Sequence, residues 1–317
     1  MLRILRAPIS LLLFSAMLSL AVIPAHGQEA AASSSTVPVT TVVTVLGHNY
    51  TAPPAISKDD IIPLQNGKKV TAIGWVPAQG DKAALQLAVV IDDSTDTAFA
   101  SQLNDLRAFI SAQPPSTAVG VFYASNGTVL PASQFSTDHD AVAKSVRIPL
   151  GRWAAYSSIY LSLDTLIKRW PVTPGSRREV LLFADGIDRF RGDIPTSPDL
   201  INVIARAQTA GVIIHTIYAT GVGYVSHSLW RINLGQSNLS RLTDGTGGQA
   251  FFQGLQTPIS LTPFLDRLNL VLKNQYWLTF AAVRSKKPKG ELQRFRVGSE
   301  LKDLDIDAPT SVFVPFL

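Results

Sequence analysis

Two acidic runs follow apolar ones in this chain. Asp92-Asp93-Ser94-Thr95-Asp96 comes after Leu85 to Ile91, and Asp185-Gly186 comes after Glu179 to Ala184. Carboxylate and hydroxyl oxygens with no imidazole or thiolate beside them suit a hard cation such as Mg²⁺, Mn²⁺ or Ca²⁺. An EF-hand is excluded, because Thr97 stands where the loop needs glycine and Leu103 where it needs glutamate. Ser157, in Ser157-Ser158-Ile159-Tyr160, opens a later helical stripe and by itself reads as an N-cap. Ser94 and Asp96 also have a metal-free reading, as caps of the helix that begins near Thr97.

Other chemistries fit less well. The histidines (His26, His48, His139, His215, His227) have no zinc-ligand spacing, and the chain has no Gly-x-Ser-x-Gly. Gly221-Val222-Gly223-Tyr224-Val225-Ser226 follows a strand but lacks the third glycine of a dinucleotide fingerprint, and it falls too late in the chain for one. The basic cluster Arg284, Lys286, Lys287 and Lys289 surrounds Pro288 and Gly290, and reads as a solvated turn between strands.

The elements that must position the acidic runs alternate. Apolar strands are expected at Leu85 to Ile91, Thr117 to Ala124, Glu179 to Ala184 and Val212 to Tyr218. Between them lie the helical stripes Phe99/Leu103/Leu106/Phe109/Ile110, Ile159/Leu163/Leu166/Ile167/Trp170 and Leu200/Val203/Ile204/Ala207. Asn126-Gly127 predicts a hairpin to an antiparallel edge strand, and Gly211 sits where a C-cap glycine belongs. After the fourth strand a glycine-rich loop region is expected to run to Gly248, followed by a closing helix through Leu261 to Leu272. The pattern is a doubly wound, mostly parallel α/β sheet, and both acidic runs leave its carboxyl edge, where such sheets bind ligands. Short strands without helices flank it at Thr40 to Leu46, Val70 to Trp75, Gln275 to Val283, Leu292 to Val297 and Ser311 to Val314. The two flanks are expected to pair into one small β module.

At its acidic runs the chain resembles the von Willebrand factor A domain, whose metal-ion-dependent adhesion site uses Asp-x-Ser-x-Ser, a later Thr and an Asp-Gly. Asp92, Ser94 and Asp185 match position by position, and Ser157 takes the Thr position by its spacing to Ile159 and Tyr160. Asp96 departs from the second Ser. Ala210 to Ile217, Thr246-Gly247-Gly248-Gln249-Ala250-Phe251, Asn274-Gln275-Tyr276, Lys58-Asp59-Asp60 and Asn66-Gly67-Lys68 are similar to an exported bacterial subgroup of these domains. The resemblance implies a Rossmann-like fold and a divalent cation held by Asp92, Ser94, Asp96, Ser157 and Asp185, with one position open for an acidic side chain of a protein partner.

The first residues match an export signal. Arg3 and Arg6 precede an uncharged run from Ile9 to Ile23, shorter than the ~20 residues of a spanning helix, and Ala25-His26-Gly27 follows. Cleavage after Gly27 leaves a mature chain in which no later run is long and apolar enough to span a membrane; retention as an anchor is the alternative. Residues 28–36 then form a leader, 37–80 an N-terminal β segment, 83–273 the α/β domain and 275–315 the C-terminal strands. A secreted or periplasmic location permits disulfides, but the chain has no cysteine. Without Arg3 and Arg6 the mature chain carries 26 basic against 23 acidic groups, which does not indicate a nucleic-acid partner. Hydrophobic residues at 46% against 16% charged fit a well-packed chain.

The expected function is therefore an exported adhesion or assembly module and not an enzyme. The alternatives are a metal-free scaffold that binds through surface loops, or a metal-dependent phosphoesterase that recruits Asp93 and Asp188. Oligomeric state is left open by the sequence.

Overall fold

In the computed structural model, residues 35–223, 227–252 and 260–316 are described. The expected signal segment, most of the leader and Tyr224-Val225-Ser226 lie outside them. The chain opens with strands β1 (Thr36–Gly47), β2 (Ile61–Gln65), β3 (Lys68–Lys69) and β4 (Ala72–Pro77). The α/β run follows as β5 (Leu85–Asp92), α1 (Leu103–Ser111), β6 (Thr117–Ser125), β7 (Thr128–Ser136), α2 (His139–Lys144), α3 (Ile159–Arg169), β8 (Arg177–Ala184), α4 (Pro198–Ala210), β9 (Val212–Tyr218), α5 (Leu229–Thr246), β10 (Ala250–Phe251) and α6 (Thr262–Lys273). Strands β11 (Gln275–Val283), β12 (Glu291–Ser299), β13 (Leu304–Asp307) and β14 (Ser311–Val314) close the chain.

The central sheet has the order β10-β9-β8-β5-β6-β7. Strands β5, β6, β8, β9 and β10 run parallel, while β7 returns antiparallel on the edge. This is a doubly wound order, with its switch point between β5 and β8. Every residue of β5 and β9 is buried, because helices cover both faces of the sheet. One face packs on α1 and α6 through Leu106, Ile110, Leu268 and Val271. The other packs on α3, α4 and α5 through Leu163, Leu200, Val203 and Leu239. The Asn126-Gly127 hairpin has φ of 50° and 72°, the left-handed pair a tight two-residue turn requires. Helix α4 starts on Ser197, whose side chain accepts from Asp199 N–H, and stops at Gly211 with φ 64°.

One expectation needs correction. The region before Gly248 contains the 18-residue helix α5 instead of a loop. Its buried face carries Gly235, Asn238, Thr243, Gly245 and Thr246 beside Ile232, Leu239 and Leu242, so the apolar stripe is too thin to show a helical period. The flanks pair into one small β module, as expected, built of two four-stranded antiparallel sheets, β13-β1-β11-β4 and β14-β12-β2-β3, in which β1 pairs with β11 and β2 with β12. Their shared core contains Phe280 stacked on Phe295 at 4.7 Å, with Val43, Leu278 and Val314 around them.

This β layer is fastened to the α/β layer as part of one compact unit, residues Ser35–Leu317. Leu46 of β1 enters the α1/α6 core. At the seam Glu179 of β8 lies fully buried with His215 Nε2 at 2.8 Å, Gln275 Nε2 at 3.1 Å and Arg177 Nη1 at 3.6 Å. Gln249 N–H donates to His215 Nδ1, which leaves Nε2 as the ring nitrogen that donates to Glu179. Burial pushes the Glu179 carboxyl up, but His215, Arg177 and Gln275 together outweigh it and hold the carboxyl below its ordinary 4.5. The basic cluster after β11 is a turn closed by Gly290 N–H on Lys287 C=O.

Candidate functional site

The site is built at the carboxyl ends of β5 and β8, beside the switch point. Asp92, the last residue of β5, accepts on Oδ1 from Ser94 N–H at 2.8 Å. Burial and the nearby Asp185 carboxylate push Asp92 up to about 6. The loop after β5 is stitched to the loop after β9, with Asp96 N–H donating to Thr220 C=O and Val222 N–H to Ser94 C=O, both at 2.9 Å. Asp185 leaves β8 and turns at Gly186, φ 72°. Tyr160 O–H and Asn238 Nδ2 both donate to Gly186 C=O, at 2.7 and 3.2 Å.

The cation that faces these carboxylates belongs to the chain itself. Arg189 donates from Nη1 to Asp185 Oδ1 at 3.2 Å and from Nη2 to Oδ2 at 2.5 Å. Its side chain is 9% exposed and that of Asp185 3%. Burial disfavours the charged guanidinium, but Asp185 and then Asp92 more than offset it and hold the pKa above the ordinary arginine value. Gly221 makes room for the pair, since a Cβ there would lie 2.3 Å from both Arg189 Nη2 and Asp185 Oδ2. Sequence reasoning missed Arg189, Tyr160, Asn238 and Gly221. The one available signal was Asp185 followed four residues later by Arg189, and the glycine weighed as a nucleotide-binding residue instead admits this ion pair.

The remaining predicted ligands are arranged as follows. Ser157 lines a cavity of about 10 Å³ together with Asp92 and Arg189, room for roughly one water. Its Oγ accepts from Ala154 N–H at 3.0 Å, and the N-cap of α3 is the next residue, Ser158. Asp96 caps the following 3₁₀ turn by accepting from Ala98 N–H at 2.8 Å. Thr95 Oγ1 is buried without a partner, and one neutral hydroxyl does not make a cation site. Among the described residues there is no group of three or more acidic, histidine or cysteine side chains placed to hold a metal ion. With Asp185 clamped by a guanidinium and Asp96 spent on a cap, the oxygens as folded do not fit a divalent cation.

Two further acids also have structural partners. Asp93 forms a two-point pair with Arg147, 2.8 Å at each oxygen, and takes Leu150 N–H at 3.1 Å. Arg147 lies over the Tyr123 ring at 3.6 Å. Asp188 accepts from Ser197 O–H and from Arg191 N–H.

The sequence matches no protein-family model and no curated protein. The chain is similar to a von Willebrand factor type A protein from Catenulispora acidiphila, 10% identical over 89% of this chain and 75% of that one, with a TM-score of 0.45. It is similar to manganese-loaded TRAP protein from Plasmodium vivax, 10% identical over 79% and 98%, TM-score 0.42. A third likeness is to BatB, a conserved hypothetical protein from Bacteroides thetaiotaomicron, 9% identical over 60% and 100%, TM-score 0.42. The fold itself is a doubly wound, mostly parallel α/β sheet with a small flanking antiparallel β module.

Proposed function

We propose that this chain is an exported protein-binding module that takes its partner on the loops at the carboxyl edge of the central sheet. The observation that carries this reading is a set of exposed aromatic side chains on the segments before α3, after β8 and at the start of α5. Trp153 is 60% exposed, Tyr156 56% and Trp230 56%, with Phe190 at 38%. Tyr156 and Phe190 touch at 5.4 Å between ring centres, and the Arg231–Asp193 ion pair joins the first turn of α5 to the same loop. Large exposed aromatic side chains gain by leaving water, and they are the residues that anchor protein interfaces. Export is supported by Arg3 and Arg6 ahead of the apolar run and the small residues at Ala25 and Gly27. A non-enzymatic role is supported by the occupation of Asp93 and Asp188, the acids a phosphoesterase would recruit as base or second metal ligand.

The test places a photo-crosslinking residue at Trp153 in the full chain, expressed in its own host. A discrete protein adduct that disappears when Tyr156 and Trp230 are both changed to Ser supports the reading. An equal adduct from Ile73, an exposed residue of β4 in the β layer, or no adduct at all, refutes it.

A further inference from the structure

We propose that Arg189 is the resident cation of this site, a guanidinium that takes the place of a divalent metal ion and makes the carboxyl edge metal-independent. The inference goes beyond partner binding and stands whether or not the partner surface is correctly placed. Its first support is position. Arg189 meets both oxygens of Asp185 and lines the same small cavity as Asp92 and Ser157, so its guanidinium lies among three of the five side chains whose spacing suggested a metal.

The second support is occupancy. Arg189 occupies both oxygens of Asp185, so a metal ion held by that carboxylate would need Arg189 to leave. At 9% exposure the side chain is packed in place, and its departure would strip a buried carboxylate of its counter-charge. Nor do the two cations fit together, since a divalent ion beside a buried guanidinium meets strong repulsion where the dielectric is low. The third support is the backbone. Gly221 leaves a cradle against Arg189 Nη2 and Asp185 Oδ2 that any side chain would fill, so the fold is shaped around this ion pair. The fourth is Asp96, which would add negative charge to a metal but caps the next turn instead.

The fixed charge has a chemical consequence. A metal ion with an open position binds a partner's carboxylate directly, and chelators release it. A guanidinium engaged on both arms with Asp185 offers no such position, so association at this edge should be indifferent to chelator.

The experiment titrates Mn²⁺ into the whole chain by electron paramagnetic resonance and follows thermal unfolding with chelator and with Mn²⁺. The wild type is expected to bind no stoichiometric Mn²⁺ and to melt at the same temperature in both conditions. Arg189→Ser frees Asp185, Asp92 and Ser157 and opens the guanidinium's volume. This variant is expected to gain one Mn²⁺ with a dissociation constant of about 1 mM or below, the range of weak cation sites, and to melt later with Mn²⁺ than with chelator. The gain is expected to vanish in Arg189→Ser combined with Asp92→Asn. A wild-type chain that takes up one Mn²⁺ overturns the proposal. So does an Arg189→Ser chain that neither binds Mn²⁺ nor is stabilised by it.

Discussion

Glu179→Gln should cost this protein more than any surface change, and the cost should fade in acid. The substitution keeps the shape of the side chain and some of its hydrogen bonds, but removes the negative charge that faces Arg177, 5% exposed, at 3.6 Å. Breaking a buried pair from one side costs about 3–5 kcal/mol, because the surviving charge stays desolvated. The lower end applies here, since Arg177 also donates to Leu272 C=O and Ala83 C=O, at 3.0 Å each. A loss of about 3 kcal/mol corresponds to roughly 6–12 °C in melting temperature for a chain of this size. The pH dependence follows from the depressed carboxyl. A group whose folded pKa lies below its unfolded value contributes stability above the unfolded value, here 4.5, and loses it as pH falls through the folded one. Denaturant unfolding followed by tryptophan fluorescence should therefore show a large gap between wild type and variant near neutral pH, narrowing well below 4.5. A gap under about 1 kcal/mol near neutrality, or one that stays constant into acid, would refute the assignment of this network as a source of stability.

Gly221→Ala should destabilise by about 1–3 kcal/mol, the cost of overpacking a tight contact, because its Cβ would sit 2.3 Å from both Arg189 Nη2 and Asp185 Oδ2; thermal unfolding checks this, and an unchanged melting temperature would show that the pair is not seated there. Tyr160→Phe removes a 2.7 Å hydrogen bond to Gly186 C=O while Asn238 keeps its own, so a loss of about 1 kcal/mol is expected by denaturant unfolding. Pure protein should turn over no chromogenic phosphate ester; turnover lost in Asp92→Ala would contradict the non-enzymatic reading.

Much of the α/β layer was legible because its strands are buried on both faces. Leu85 to Ile91 and Val212 to Tyr218 read as mainly apolar runs, interrupted by Gln86 and by His215-Thr216, and they are strands β5 and β9 with every residue buried. The Asn126-Gly127 hairpin and the Gly211 cap were legible because each needs a left-handed backbone that few residues adopt. The site was legible only as far as its loops. Spacing brought Asp92, Ser157 and Asp185 to one edge, but it does not say which way a side chain turns. Asp96 had two readings of equal chemistry, and the structure shows it accepting from Ala98 N–H as a cap. Arg189 carried only its spacing of four from Asp185 as a signal, and an arginine four residues past an acid in a loop is an ordinary solvated charge until the fold buries it. The exposure of Trp153, Tyr156 and Trp230 was likewise invisible, because nothing in an isolated aromatic residue says that it will be left exposed.

The missed helix and the missed arginine have one cause. Helix α5 hides from the helical period because its inner face is small and polar, and that face is small and polar because it packs on backbone. A Cβ at Gly235 would lie 1.9 Å from Asp185 C=O, and a Cβ at Gly186 would lie 2.3 Å from Gly235 C=O. Asn238, one turn further along α5, spends its amide on Gly186 C=O. The helix thus presses directly on the turn that presents Asp185, while Tyr160 of α3 holds the same turn through the same carbonyl. A carboxylate fixed this closely from behind has little freedom to reach for a ligand, so its counter-ion must come to it at a set distance. An arginine four residues on, in the same loop, meets that requirement by connectivity alone. A larger, more apolar α5 would have been easier to recognise in the sequence, and its side chains would have collided with the Asp185 turn.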